Sequence, residues 1–143
     1  MKRYWFVLLI AALAARCASA AVVVPYPITE NQEERVQKLL VGTWNGYIKD
    51  TSRARISYNT PTLQIFRVEK TLGKWSAALS WNGKWISDVE LTINGSMIRI
   101  EFIEQYANLL IHHELTLYGR HLVGKIWYGS RSYNPAEVIL NKI

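Results

Sequence analysis

Beyond Gly42 the chain alternates: apolar and β-branched residues recur at every second position in short runs, and turn residues interrupt them at a spacing of about ten. This pattern predicts strands over 43–49, 62–70, 74–81, 85–93, 97–104, 109–118, 122–128 and 137–142, with 53–58 as a further short piece or an extension of the second. Before Gly42 the period is helical. Thr29 or Asn31 can cap a short helix, Glu30, Glu33 and Glu34 suit its first turns, and Val36, Leu39 and Leu40 form one apolar stripe that Gly42 can end. Pro25 and Pro27 hold the preceding segment extended.

Turn chemistry extends the pattern to pairing. Asn94-Gly95 is a strong two-residue hairpin signal. Centred there, it sets Leu91 opposite Ile98, Val89 opposite Ile100 and Ser87 opposite Phe102, with Thr92–Met97, Glu90–Arg99 and Ile86–Ile103 on the other face. Asp88 opposite Glu101 counts against that register. Gly119-Arg120 likewise pairs Leu117 with Leu122, Leu115 with Gly124, His113 with Ile126, Ile111 with Tyr128, Glu114 with Lys125 and His112 with Trp127. Asn82-Gly83 pairs Leu79 with Ile86 and Ser80 with Trp85. Successive hairpins make a meander, and eight mostly one-sided strands close most naturally into an antiparallel up-and-down barrel, with a sandwich as the alternative. The interior of such a barrel is filled by side chains or holds one small ligand.

The N-terminus adds a destination. Lys2 and Arg3, an apolar run from Tyr4 to Ala15 and Ala18-Ser19-Ala20 form a signal peptide over 1–20 with cleavage after Ala20. The run is shorter than the roughly 20 apolar residues a membrane-spanning anchor needs. Arg16 before Cys17 does not suit lipoprotein processing, which wants a small residue there. The chain then divides into the signal at 1–20, a lead-in and helix at 21–42 and a barrel domain at 43–143. Three bases leave with the signal and all acids remain, so 14 bases face 11 acids in the mature part, a net of +3. That modest charge argues against nucleic acid as a partner. The only cysteine leaves as well, which excludes disulfides and thiolate metal sites and favours a periplasmic or otherwise secreted setting.

Gly42-Thr43-Trp44-Asn45-Gly46, a G-x-W directly after a short helix, resembles the opening strand of the lipocalins and of the related avidin-like and bacterial protease-inhibitor barrels of calycin type. The resemblance implies an exported binding barrel whose Trp44 plugs the closed end under a late basic residue, Arg131 or Lys142. The T-D-Y motif of kernel lipocalins and the disulfides common in that family are missing here.

Candidate chemistry is sparse. His112-His113-Glu114 lacks the second histidine of H-E-x-x-H, because Leu117 stands there, and adjacent strand residues point to opposite faces. Nucleophile elbow, phosphate loop, dinucleotide glycines and an inward carboxylate pair are all absent from the reading, so neither enzyme, metal site nor cofactor is expected. A small apolar or amphipathic molecule inside the barrel is the expected partner, lined or closed by Trp44, Trp85, Val89, Ile98, Ile100, Phe102, His113, Leu115 and Tyr128. His113, on the apolar face, is the polar group that would orient it. Trp85 is expected inside above small Ser76, Ala78 and Ser80, which leaves Trp75, Leu79, Trp81 and Ile86 outside. That outer stripe of Trp75, Leu79 and Trp81, or a basic loop at Arg53 and Arg55, would serve a protein partner, such as a target for a periplasmic inhibitor, or a second copy of the chain. A one-residue slip would exchange these two faces.

Overall fold

The computed structural model of the chain describes residues 31–49, 60–129 and 134–143. The signal segment, the lead-in, Thr29, Arg53, Arg55, the piece at 53–58 and Arg131 lie outside the described residues.

One helix, α1 (Gln32–Leu40), precedes nine strands: β1 (Gly42–Lys49), β2 (Thr62–Thr71), β3 (Lys74–Trp81), β4 (Lys84–Ile86), β5 (Val89–Asn94), β6 (Met97–Tyr106), β7 (Leu109–Tyr118), β8 (His121–Tyr128) and β9 (Ala136–Lys142). Every pairing is antiparallel. Sequential neighbours pair except β4 and β5, β1 also pairs with β9, and β3 pairs with both β4 and β5. β4 and β5 therefore share one place in the ring, and the result is a closed, eight-stranded antiparallel barrel with one short helix.

Closure gives each strand one inner face. Leu63, Ile65, Leu79, Trp81, Ile100, Phe102, Leu115, Leu122, Ile126, Val138 and Leu140 are all buried in one continuous core. Two irregularities switch which positions face inward. A bulge at Ile65/Arg67 moves the inner set of β2 from Leu63 and Ile65 to Val68. A break at Ser87-Asp88 moves the inner set from Ile86 in β4 to Leu91 in β5.

The second switch corrects the expectation for the central tryptophans. A single strand over 85–93 would place Trp85 with Val89 and Leu91. The break uncouples them, so Trp85 is 60% exposed while Trp81 and Leu79 are 2% and 0% exposed. Ile86 is buried and Trp75 packs against the core. The inverted arrangement buries Leu79, Trp81 and Ile86 together, more apolar surface than Trp85 above a serine-alanine strip would hide. Outside, Trp85 stacks on Phe66 at 5.5 Å and 26°.

The Asn94-Gly95 register also differs. The two turn residues are Gly95 and Ser96, so Asn94 pairs with Met97, Leu91 with Ile100 and Val89 with Phe102. Glu90 faces Glu101, and Thr92 faces Arg99. Gly95 has φ 60° and Asn94 is not left-handed, which is the glycine-first hairpin turn rather than the Asn-Gly form. Each partner moves by two residues, so the inner and outer sets survive. The Gly119-Arg120 and Asn82-Gly83 hairpins have the expected pairs. Asn82 adds a clamp, since Thr62 N–H donates to its side chain at 2.9 Å and its own N–H donates to the Thr62 carbonyl at 2.8 Å.

Helix α1 is tied to the end of the barrel where β1 starts. Asn31 Oδ1 accepts from Glu33 N–H at 3.2 Å, while Val36 and Leu40 are buried. The last-turn carbonyls find partners on the barrel: Trp44 Nε1 donates to Leu40 at 2.9 Å, and Lys142 Nζ donates to Lys38 at 2.8 Å and Leu39 at 3.1 Å. Lys142 Nζ also lies 5.6 Å from the centre of the Trp44 ring. Burial, and then the charge of Arg120, hold the Lys142 ammonium below its ordinary pKa.

Two strand glycines let the ring bend where neighbouring backbones meet. A Cβ on Gly46 would stand 1.8 Å from the Ile139 carbonyl oxygen, and one on Gly124 would stand 1.8 Å from that of Glu114. Gly124→Ala is expected to lower unfolding free energy by about 2–4 kcal/mol, because backbone rather than a flexible side chain must yield. Urea denaturation checks this, and a loss below about 1 kcal/mol would show that the two strands separate freely here.

Candidate functional site

The ends of the barrel differ. The hairpin turns after β2, β5 and β7 share one end with α1, and the connections after β1, β3, β6 and β8 share the other. At this second end the inner face of β6 continues from Phe102 at steps of two to Glu104 and Tyr106, and that of β7 runs from Leu109 through Ile111 to His113. Tyr128 pairs with Ile111 and lies two residues beyond buried Ile126 on β8. Exposure rises toward the opening: His113 is 1% exposed and Ile111 8%, against 39% for Leu109, 46% for Tyr128 and 67% for Tyr106. Among the described residues, this end, here called the mouth, therefore sets an aromatic and aliphatic rim over a buried polar floor.

His113 forms that floor. Its ring stacks on Phe102 at 4.3 Å and 9° and meets Trp81 at 4.7 Å and 59°. Trp81 and Phe102 also meet, with centroids 5.8 Å apart. His113 Nε2 is 3.5 Å from Glu104 Oε2, and neither ring nitrogen has a hydrogen-bond partner among the described residues. Buried polar atoms are ordinarily paired, so this ring is a place where a polar group is wanted.

Burial pushes the His113 pKa down to about 3, with the neighbouring His112 acting in the same direction. Burial raises the Glu104 carboxyl above its ordinary value, while Lys84 acts against that rise. The Lys84 ammonium donates to the Gln105 carbonyl. At neutral pH the floor therefore consists of a neutral imidazole beside a carboxylate. Such a pair has the hydrogen-bonding capacity to orient a polar group.

Of the residues expected to line a ligand, Phe102 and His113 lie together at this floor, and Ile98, Ile100 and Leu115 fill the core beyond them. Val89 is partly buried against the core and Tyr128 stands on the rim. Trp44 is buried at the helix-tied end, apart from the mouth, and Trp85 lies outside the barrel. Of the residues expected to meet a protein partner, Leu79 and Trp81 are core residues, and Trp75 packs against the core with Lys70 Nζ 5.3 Å from its ring centre. Glu104, Tyr106, Leu109 and Ile111 were not among the expected site residues. The signal for Glu104 was available: Ile98, Ile100 and Phe102 alternate directly into it.

His112 and His113 face opposite sides, and no group of three or more metal-ligating side chains occurs among the described residues. No helix there is long and apolar enough to cross a membrane.

No protein-family model matches the chain, and no curated protein matches it. Among solved structures it is similar to a "secretary abundant heat soluble (SAHS) protein" from Ramazzottius varieornatus. That match has 12% identity, covers 73% of this chain and 95% of the other, and has a TM-score of 0.37. A likeness at that score transfers no chemistry to this chain.

The buried imidazole predicts a signed pH dependence. Its folded pKa of about 3 lies below the unfolded 6.5, so its contribution is fully present above pH 6.5 and is lost as pH falls toward 3. The expected slope is about 1.4 kcal/mol per pH unit just below pH 6. Glu104, whose pKa is raised, acts in the opposite sense where it titrates. Comparing His113→Phe with the parent chain by urea denaturation at pH 7, 6 and 5 isolates the histidine: the variant should lose the slope, and parallel profiles would refute a neutral, buried His113.

Proposed function

We propose that the chain is an exported, non-catalytic binding protein that holds a small amphipathic molecule at the open end of its barrel. The observation that carries this reading is the His113–Glu104 pair, polar and largely buried, beneath the exposed inner-face residues Tyr106, Leu109 and Tyr128. A ligand's apolar body covers the rim residues, which gain about 25 cal/mol per Å² of apolar surface removed from water. Its polar end meets the two floor groups, which fixes its orientation. Export rests on the signal-like pattern of residues 1–20 and places the protein in a periplasm or outside the cell. The closed barrel is the fold that the G-x-W resemblance leads one to expect, and it suits this role.

A second reading, a protein-docking face for a partner or a second copy, is supported by the exposed Phe66–Trp85 stack. It takes the place of the Trp75–Trp81 stripe, whose members are turned inward.

Titration with the neutral probe N-phenyl-1-naphthylamine tests the first reading. Saturable binding with energy transfer from tryptophan is expected, weakened about tenfold in a Tyr106→Ala, Leu109→Ala double variant. Unsaturable binding, or an unchanged affinity in the variant, would remove the reading. For the docking face, sedimentation velocity should show association that Trp85→Ala disperses; monomers at all concentrations would mean the face takes no second copy.

A further inference from the structure

The arrangement of acceptors and charges at the mouth narrows the class of ligand, on the reading that the mouth binds one. Among the described residues, the charged or titratable groups that face this end are Glu104 and Tyr106 from β6, His113 from β7, Tyr128 from β8 and Lys84 from β4. Glu104 contributes two acceptor oxygens, and its side chain is only 13% exposed. A neutral His113, clamped between Phe102 and Trp81, contributes one lone pair and one N–H. Within this pair acceptors outnumber donors, and the two groups together carry one negative charge. Lys84 is the cation close to this pair, but it is exposed and its ammonium is engaged with the Gln105 carbonyl.

A carboxylate ligand would add a second negative charge beside Glu104 and face a histidine that burial keeps from becoming a cation. An alcohol would offer one donor to at least two waiting acceptors. An ammonium offers three donors and a compensating charge. We propose that the mouth selects a protonated amine carrying an apolar body, with Glu104 and His113 receiving its N–H groups. The exposed rim residues Tyr106 and Leu109 then cover the apolar part.

Calorimetric titration of the purified protein with three chain-matched probes at pH 7 tests this: n-octylamine, 1-octanol and octanoate. Octylamine is expected to bind at least tenfold more tightly than either of the others. Glu104→Gln should bring the amine-to-alcohol ratio close to one, and Lys84→Met, which removes the competing cation, should raise amine affinity severalfold. Octanoate or octanol binding as tightly as the amine, or a ratio unmoved by Glu104→Gln, overturns the amine assignment and leaves the binding function standing. Failure of all three probes to bind overturns the binding function itself.

Discussion

Closing a sheet on itself removes every edge, and the backbone hydrogen bonds of each strand are then satisfied by its two neighbours. The same closure divides the side chains into one inside and one outside. Because they alternate, a strand has two choices of face, and each strand must choose the face that its neighbours have chosen. The bulge at Ile65/Arg67 and the break at Ser87-Asp88 are where this chain meets that condition. Without them, β2 and the β4–β5 segment would each present a mixed face to the core. With them, Val68, Leu79, Trp81, Ile86 and Leu91 all reach the interior, and Phe66 and Trp85 are left to stack on each other outside.

The two ends of the ring are treated differently, and that asymmetry creates the mouth. At one end α1 is bound through its last carbonyls to Trp44 and Lys142, so the helix terminus, the indole and the ammonium satisfy one another. At the other end the inner faces of β6 and β7 run out past the packed core, and exposure rises from Glu104 and Ile111 to Tyr106 and Leu109. An acid at such a position keeps some hydration although its side chain is largely buried. Glu104 occupies such a position, with His113 one layer further in.

A buried imidazole without a hydrogen-bond partner among the described residues, next to a desolvated carboxyl group, is an unfavourable arrangement for stability alone. An apolar side chain at position 113 would stack on Phe102 and Trp81 without that cost. The retention of a polar ring there is what separates this barrel from one packed solely for its fold, and it directs attention to the mouth rather than to the outer charge rows. The outer rows, such as Arg99 between Glu101 and Glu114 at 3.6 and 3.9 Å, lie near the surface, where solvent screens such pairs.

Much of this was present in the amino-acid order itself. Helical and strand periodicity with glycine turns determined the helix, the strand positions apart from the split at Ser87-Asp88, the antiparallel meander and the registers around Asn82-Gly83 and Gly119-Arg120, because those features depend on residues close along the chain. Alternation also placed His113 on the apolar face. Tertiary structure alone decided which face of β3 and β4 turned inward, since two interruptions of the alternation reset it and their effect is felt only when the ring closes. It also decided that Gly95 rather than Asn94 begins its turn, and that Glu104 joins His113 at the mouth. Those outcomes depend on contacts between strands distant in sequence, where a local pattern supplies two equivalent answers and packing selects one.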